Sequence, residues 1–351
     1  MKIMIDIKHP AHVHFFKNFI RIMKEEGNEV LVTAREKEMT IYLLDKYNIK
    51  YTKISSIGNS KLELLKELFV RNYRFYKIAK KFKPDILFGL MGITIAPVGR
   101  LLRVPSLVFY DTENARLTNK IAYFFCNKFI TPRCYKKKLG NKNIRYDGYH
   151  ELAYLHPDYF TPNPEILKKA GLKLGERFTI MRFVSWGASH DIGHSGIPFE
   201  EKIKAVKEFS KYGKVFITSE KQLPEELEKF RLKLPPEDIH HLIYYATLLY
   251  GESSTMSSEA AVLGTYSIYI DDEGRGYTDE EELKYGLVFN SKTSLIEKGV
   301  EILKNKNSKE EAQEKRKKLI EDMIDVTSFM QYVATYFTQK EGLLESIFGD
   351  E

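Results

Sequence analysis

Short apolar runs of strand length recur along the chain, separated by longer stretches with helical periodicity. Nearly every residue of these runs is apolar, as in strands that helices cover on both faces. In the first half they are residues 2–7, 29–33, 85–89, 106–110 and 128–131, and in the second half residues 178–183, 214–218, 248–250, 266–270 and 287–290. The alternation predicts an α/β protein with two doubly wound parallel sheets.

A turn-rich segment interrupts this alternation in the middle of the chain. Residues 148–157 are followed by Pro162 and Pro164, a composition that suits a connection between domains. We therefore place the boundary at Pro164 and predict an N-terminal domain over residues 1–164 and a C-terminal domain over residues 165–327. The amphipathic, aromatic end of the chain predicts a helix over residues 328–351 that joins the first domain.

Composition excludes several classes of protein. The chain has 351 residues, of which 43% are hydrophobic, enough for two buried cores and incompatible with global disorder. No apolar run approaches the roughly 20 residues that span a bilayer, and the N-terminus reads as a buried strand rather than a signal segment. We therefore expect a cytoplasmic protein. Cys126 and Cys134 are the two cysteines and form no Cys-x-x-Cys pair, which argues against a disulfide framework and structural zinc.

Charge distinguishes the two halves of the chain. Residues 1–165 carry 29 Lys and Arg against 16 Asp and Glu, whereas the remainder carries 26 against 32. A basic half suits phosphorylated substrates or an anionic membrane surface, and solvated lysines explain it as well. Residues 64–83 interleave aromatic and basic side chains, as in a helix on a membrane surface or one whose aromatic face packs on its own sheet. No nucleic-acid-binding motif accompanies the charge, so we expect no nucleic-acid partner.

Three histidines follow the first predicted strand. His9, His12 and His14 lie where the carboxyl end of a parallel strand commonly meets a ligand. Imidazole titrates near neutrality, so this loop suits proton transfer or phosphate contact. Simple packing is the alternative. Because the spacing splays the rings and lacks a fourth ligand, we expect no metal site.

Small hydroxyl residues follow the strand at residues 248–250. Ser253, Ser254 and Thr255 precede a short helix, whose unpaired N–H groups and dipole favour an anion. Glu259, one turn inside, is able to accept two hydrogen bonds from a ribose diol. A serine cap on an ordinary helix explains the same residues. Their order and position favour a phosphate cradle.

Further candidates follow two other strands of the second half. Residues 182–196 form a Gly-rich loop in which Arg182, Ser185 and His190 offer contacts to a diphosphate, or in which His190 simply orders the loop. Ser219 ends the next strand. These residues extend the predicted anion site.

Several of these motifs resemble those of nucleotide-sugar enzymes. The segment Glu-Ser-Ser-Thr-Met-Ser-Ser-Glu-Ala at residues 252–260 resembles the loop Asp-Ser-Gly-Gly-x-x-Glu-Glu-Ala of UDP-N-acetylglucosamine 2-epimerases. Residues 11–13 (Ala-His-Val), 111–115 (Asp-Thr-Glu-Asn-Ala) and 117–120 (Leu-Thr-Asn-Lys) resemble motifs of the N-acetylglucosaminyltransferase that makes the lipid-linked peptidoglycan precursor. Over nearly its whole length the chain is similar to an archaeal and bacterial family of GT-B-fold proteins.

This resemblance implies a GT-B fold, in which two Rossmann-like domains face a central cleft. The first domain would receive the acceptor and the second a nucleotide sugar. Glu259 would hold the donor ribose, His240 would lie beside the nucleobase, and the loop at Ser253, Ser254 and Thr255 would contact the diphosphate.

Three functions remain open at this stage. The first is a metal-independent glycosyltransferase that uses a UDP-linked sugar and no other cofactor, with His12 as general base and Asp111 or Glu113 as the next choices. The second is an epimerase of the UDP-N-acetylglucosamine 2-epimerase type, and the third is a non-catalytic nucleotide-sugar-binding protein. The acceptor is unknown. A lipid-linked acceptor would bring the protein to the inner face of the membrane.

Overall fold

The computed structural model describes residues 1–58, 60–113, 116–184, 196–219, 222–272 and 274–339. Contacts divide the chain into a first unit, residues 1–154 with the chain from residue 324, and a second unit, residues 155–323. The division falls between residues 154 and 155, inside the turn-rich segment, rather than at Pro164. The later part of that segment packs in the second unit: the Phe160 ring stacks on His241 at 4.8 Å, and the Asn163 N–H donates to His241 Nδ1 at 3.2 Å.

Strands and helices alternate along the described chain. The strands are β1 (Lys2–Ile7), β2 (Glu29–Glu36), β3 (Thr52–Ser56), β4 (Ile86–Leu90), β5 (Ser106–Phe109), β6 (Lys128–Pro132), β7 (Asn143–Tyr146), β8 (Phe178–Phe183), β9 (Lys214–Ser219), β10 (Leu248–Gly251), β11 (Tyr266–Ile270) and β12 (Val288–Ser291). The helices are α1 (Pro10–Glu25), α2 (Thr40–Lys46), α3 (Lys61–Phe82), α4 (Ile95–Leu102), α5 (Arg116–Phe125), α6 (Leu152–Leu155), α7 (Glu165–Lys169), α8 (Phe199–Phe209), α9 (Glu225–Glu228), α10 (Ile239–Tyr245), α11 (Ser254–Val262), α12 (Gly276–Glu280), α13 (Ile296–Lys304), α14 (Ser308–Asp322) and α15 (Val326–Gln339). None of the described helices has the length and apolar character needed to cross a membrane.

Each unit contains one parallel sheet. The first sheet has the order β3-β2-β1-β4-β5-β6-β7, and the second has the order β12-β11-β10-β8-β9. The direction of winding reverses between β1 and β4 in the first sheet and between β8 and β10 in the second. In open parallel sheets, ligands bind outside the carboxyl ends of the strands at such a reversal. The loops after β1 and β10, which the sequence singled out, lie at these two points.

The apolar runs predicted ten of the strands, and two strands escaped them. β3 and β7 lie at the two edges of the first sheet. β3 reads Thr-Lys-Ile-Ser-Ser, and only Ile54 and Ser55 are buried in it. β7 reads Asn-Ile-Arg-Tyr, and its positions alternate between half-buried and buried. An edge strand has one neighbour and incomplete cover, so it does not need a continuous apolar sequence.

Aromatic side chains fill the core of the first unit. Phe15 and Phe19 of α1 contact Phe109 and Phe88 of the sheet, with ring centroids 5.3 and 5.0 Å apart. α15 returns to this unit, where the Thr327 hydroxyl donates to the Ala153 carbonyl at 2.8 Å. The end of the helix predicted there, residues 340–351, lies outside the described residues.

The close packing of β10 against β8 depends on Gly251. A Cβ atom at this position would lie 2.0 Å from the Arg182 carbonyl oxygen, and the residue has a φ of +155°. The next N–H, of Glu252, donates to that carbonyl at 2.9 Å. Because glycine allows this approach, the chain leaves the sheet at once and α11 begins directly at the carboxyl end of β10.

Replacing Gly251 with Ala is therefore expected to lower the free energy of unfolding by about 3 kcal/mol or more, since a backbone carbonyl yields little to an inserted methyl group. Gly171→Ala is the matched control: Gly171 also has a positive φ, +69°, but nothing lies within 4 Å of its would-be Cβ. It should cost only about 1 kcal/mol. Urea denaturation followed by circular dichroism measures both, and equal losses would contradict the argument.

Candidate functional site

The three histidines after β1 have separate roles in the structure. His9 caps α1, its Nδ1 accepting the Ala11 N–H at 3.2 Å, and Pro10 then takes the first helical position. His14 packs against the rings of Tyr47 and Tyr154. Only His12 remains as a candidate for chemistry.

His12 is buried and its ring orientation is defined by a backbone contact. Its Nδ1 accepts the Lys8 N–H at 3.4 Å. Burial, followed by the charge of Lys8, holds the pKa of His12 well below its ordinary value. A neutral imidazole that accepts at Nδ1 carries its proton on Nε2. In this state His12 presents a hydrogen-bond donor.

Asp111, after β5, forms a pair with His150 that the sequence did not predict. Its Oδ2 lies 2.9 Å from His150 Nδ1, and its Oδ1 accepts the Thr112 hydroxyl at 2.9 Å. Burial acts to raise the pKa of Asp111, but the charge and hydrogen bond of His150 outweigh it and hold that pKa below its ordinary value. When His150 is in its neutral form, the ionised Asp111 holds the ring proton on Nδ1 and leaves a lone pair on Nε2.

The surroundings of His150 keep this pair in place. The ring lies 4.6 Å from Phe15 and 6.5 Å from Tyr146, between centroids. Its Nε2 is buried and has no hydrogen-bonding partner among the described residues. Glu113, by contrast, is engaged by the loop after β6, since its Oε1 accepts the Lys136 N–H at 3.2 Å. The Asp111–His150 pair thus carries an oriented ring nitrogen that has no hydrogen-bonding partner among the described residues.

In the second unit, three neighbouring strands bring predicted residues to one edge of the sheet. Arg182, near the end of β8, donates from Nη1 to the Thr218 hydroxyl at 3.4 Å, and Ser219 ends β9 beside it. The Ser253 hydroxyl oxygen caps α11 by accepting the Met256 N–H at 3.3 Å. Ser254 and Thr255 form the first turn, whose N–H groups have no acceptor within the helix. The edge therefore suits an anion.

Glu252 ties together both ends of the loop after β8. Its two carboxylate oxygens accept the N–H groups of Val184 at 2.7 Å and Ile197 at 2.8 Å, and Lys202, which is fully buried, lies 2.9 Å from Oε1. Residues 185–195, with the candidates Ser185 and His190, lie outside the described residues. Glu252 is a structural anchor that sequence reasoning had placed only within a motif.

The structure pairs two residues that the resemblance had assigned to the donor. His240, at the start of α10, and Glu259, on α11, are both buried, with 2.9 Å between Nε2 and Oε1. One helical position before Glu259, the Ser258 hydroxyl donates to Glu281 Oε1 at 2.5 Å, and burial raises the pKa of Glu281 to about 8. These contacts link α11 to α10 and to the helical segment at residues 281–285.

Within the described residues, no group of three or more His, Cys, Asp and Glu side chains is placed to hold a metal ion. Cationic and backbone groups are the features that these residues offer to an anion.

A family model with the description "Protein of unknown function (DUF354)" matches residues 1–336. The chain belongs to this family. It is 27% identical over 281 residues, 77% of this chain and 82% of the relative, to the uncharacterized protein MJ0665 of Methanocaldococcus jannaschii. It is 31% identical over 137 residues to the UDP-N-acetylglucosamine–N-acetylmuramyl-(pentapeptide) pyrophosphoryl-undecaprenol N-acetylglucosamine transferase of Clostridium novyi, a match that covers 35% of this chain and 37% of the relative.

Solved structures share the fold. The UDP-GlcNAc 2-epimerase of Neisseria meningitidis bound to UDP-GlcNAc has a TM-score of 0.67 and 13% identity, covering 95% of this chain and 100% of that one. The spinosyn rhamnosyltransferase SpnG, complexed with spinosyn aglycone, has a TM-score of 0.61 and 11% identity, again covering 95% and 100%. At these identities the likeness shows the fold, and it confirms the predicted GT-B class with two parallel α/β sheets.

Sequence reasoning missed His150 and Lys202 among the residues that shape the two edges. His150 lies in the turn-rich segment, which was interpreted only as a connection, although a histidine and a carboxylate at two loops of one sheet are a signal for a pair. Lys202 has no sequence signal, because an isolated lysine in a helix is ordinarily solvated.

Replacing Glu252 with Ala is expected to destabilise the protein by about 3 kcal/mol or more, because the buried Lys202 ammonium loses its counter-charge. Glu208→Ala, which removes an exposed carboxylate 2.6 Å from Lys211, should cost less than about 1 kcal/mol. The double variant Glu252→Gln with Lys202→Met should recover part of the loss. Thermal unfolding measures the stability of these variants. A double variant less stable than Glu252→Ala would contradict the stabilising role of the Glu252–Lys202 ion pair.

Proposed function

We propose that the protein is a metal-independent glycosyltransferase that moves a sugar from a UDP-linked donor to an acceptor hydroxyl. The observation that carries this proposal is the N-terminus of α11, whose free N–H groups suit an anion and which lies where the strand order of the second sheet reverses. The chain also shares its fold with a solved structure of a nucleotide-sugar enzyme. The names of the C. novyi and N. meningitidis proteins suggest N-acetylglucosamine as the sugar.

The donor would be held by the second unit. The backbone N–H groups and hydroxyls of Ser253, Ser254 and Thr255 would bind the diphosphate, and Arg182 would add a charge-assisted contact. Ser185, His190 and Ser219 would extend this anion site. Glu259, oriented by His240, would accept hydrogen bonds from the ribose. As the diphosphate leaves, the helix dipole and the guanidinium would stabilise its charge in place of a metal ion.

The base that deprotonates the acceptor would belong to the first unit. Sequence alone favoured His12, but the tautomer that fits the Lys8 contact places a proton on its Nε2. We therefore assign the base to His150, with Asp111 orienting its ring and Nε2 reaching the hydroxyl directly or through one water. His12 would donate a hydrogen bond to the acceptor.

The assay uses UDP-N-acetylglucosamine labelled in the sugar, with and without a lipid extract as the source of acceptor. Asp111→Asn and His150→Gln should each lower transfer about 100- to 10,000-fold, with UDP affinity by calorimetry unchanged. Glu113→Gln, the matched carboxyl variant, should retain transfer. Glu259→Gln should instead weaken UDP binding. Normal turnover in Asp111→Asn would remove the pair from the mechanism.

An epimerase is the second candidate, favoured by the likeness to the N. meningitidis enzyme over 95% of the chain. The same assay separates the two, because epimerisation of the labelled sugar needs no acceptor. Product formed from UDP-N-acetylglucosamine alone, with a changed sugar and intact diphosphate, would replace the transferase proposal. A protein that binds UDP but turns over in neither arm would be a binding protein.

The acceptor is proposed to be lipid-linked, which would bring the first unit to an anionic membrane surface. On α3 a stripe of exposed apolar residues runs along one face, and Leu62, Leu65, Phe69 and Tyr73 are between 52 and 81% exposed. The helix carries seven Lys or Arg against two Glu. Apolar side chains rimmed by cations suit the interface of an anionic bilayer.

Sedimentation with vesicles containing phosphatidylglycerol tests this contact. The double variant Leu65→Ser with Phe69→Ser should partition at least about tenfold less, since two apolar side chains no longer enter the interface. The control is Leu174→Ser with Leu283→Ser, two residues of the second unit that are 77 and 87% exposed. Equal partitioning of both variants would exclude α3 as the membrane-contacting surface.

A further inference from the structure

The carboxyl end of β1 buries a lysine without a close partner. The Lys8 side chain is 6% exposed, and its nearest carboxylate oxygen, Asp6 Oδ2, lies 4.0 Å from Nζ, beyond hydrogen-bonding distance. No described residue hydrogen-bonds to this Nζ. Asp6 Oδ2 is itself buried and has no hydrogen-bonding partner among the described residues. The two groups face each other across a gap.

The charged groups around Lys8 do not supply a further negative charge to balance it. Arg71 of α3 is 3% exposed, and its Nε and Nη2 donate to the neutral hydroxyl of Thr94 at 2.9 and 2.6 Å. Arg35 of β2 is already paired with Glu67, its Nε lying 2.7 Å from Oε1. Within the described residues of this cluster, Lys8, Arg71 and Arg35 face two carboxylates, Asp6 and Glu67.

The cluster therefore carries an uncompensated positive charge in a buried place, which is costly. Burial first, and the charge of Arg71 next, lower the pKa of Lys8 to about 7. Without a bound ligand, Lys8 tends to lose its proton. A negatively charged ligand beside it would favour the protonated, ammonium form. His12, in the first turn of α1, accepts the Lys8 N–H at Nδ1 and offers an Nε2–H donor four residues after Lys8.

We propose that the carboxyl end of β1 is an anion-binding subsite centred on Lys8 Nζ, which takes a carboxylate or phosphate group of the substrate. Only the identification of that substrate as the sugar acceptor rests on the proposed function. The acceptor would then be an anionic molecule whose acidic group Lys8 holds while its hydroxyl is presented to His150.

Binding to this subsite is linked to a proton. The charged groups that act on Lys8 are Asp6 of β1, Arg71 of α3 and Arg35 of β2. Lys8 in turn lowers the pKa of the neighbouring His12 of α1. His12 stays neutral at pH 8 because its pKa is well below the ordinary value. The ammonium form of Lys8 is the one that binds, so anion affinity falls as the pH rises above 7, and binding at pH 8 takes up a proton.

Calorimetry of the full chain with sulfate and with acetate tests the subsite. Both anions keep their charge between pH 6 and 9, so any proton taken up belongs to the protein. Lys8→Met should weaken binding of the preferred anion at least about tenfold, as expected for loss of a hydrogen bond to a charged group. Lys50→Met, which removes an exposed lysine of the same unit, should bind as the wild type does. Stronger binding of sulfate indicates a phosphate, and of acetate a carboxylate.

Titrations are repeated with UDP present, so that anion binding at the donor site is separated from binding at Lys8. If anion affinity depends on Lys8 both with and without UDP, the subsite is supported, whether or not UDP itself binds. Failure of UDP to bind would count only against the proposed function. Wild-type protein titrated at pH 8 in buffers of different ionisation enthalpy should take up most of one proton, a result that needs no variant. Unchanged affinity in Lys8→Met, or no proton uptake by the wild type, would overturn the proposal.

Discussion

Helices cover both faces of each parallel sheet, and this constraint places the chemistry of the protein at the strand ends. Side chains within β1 and β10 are buried by neighbouring strands and helices. Apart from Asp6 in β1, most of the charged groups discussed above lie just beyond a strand, as Lys8 does after β1, Asp111 after β5 and Glu252 after β10. At the reversals of strand order the flanking loops part, and space opens for a ligand.

Burial then decides what the polar groups are able to do. Lys202 and Glu252 compensate each other and serve to anchor a loop. Asp111 lies 2.9 Å from His150 Nδ1 and sets the tautomer of the neutral ring. Lys8 has its nearest carboxylate at 4.0 Å, so its charge is left for a ligand to balance. Buried lysines of this protein thus differ in how closely a carboxylate approaches them, and that distance decides whether the charge is balanced within the protein.

The apolar runs predicted the fold well because a strand covered on both faces must be apolar throughout. β3 and β7 escaped because an edge strand is free of that requirement. The site was predicted in part. Arg182, Ser219 and the Ser253–Thr255 turn do lie at one edge of the second sheet. The prediction of His12 as base rested on residue type and on its position after a strand, and neither reveals the tautomer. His150 was missed because its partner Asp111 is distant in sequence.

The sequence by itself determined the alternation of strands and helices and the two parallel sheets, because these follow from local periodicity, while the GT-B class followed from the resemblance of its motifs to those of nucleotide-sugar enzymes. Tertiary structure alone decided which buried charges are paired, on which nitrogen a histidine carries its proton and where the domain boundary falls. Those properties depend on distances of a few ångströms between groups from separate strands, and local sequence does not encode such distances.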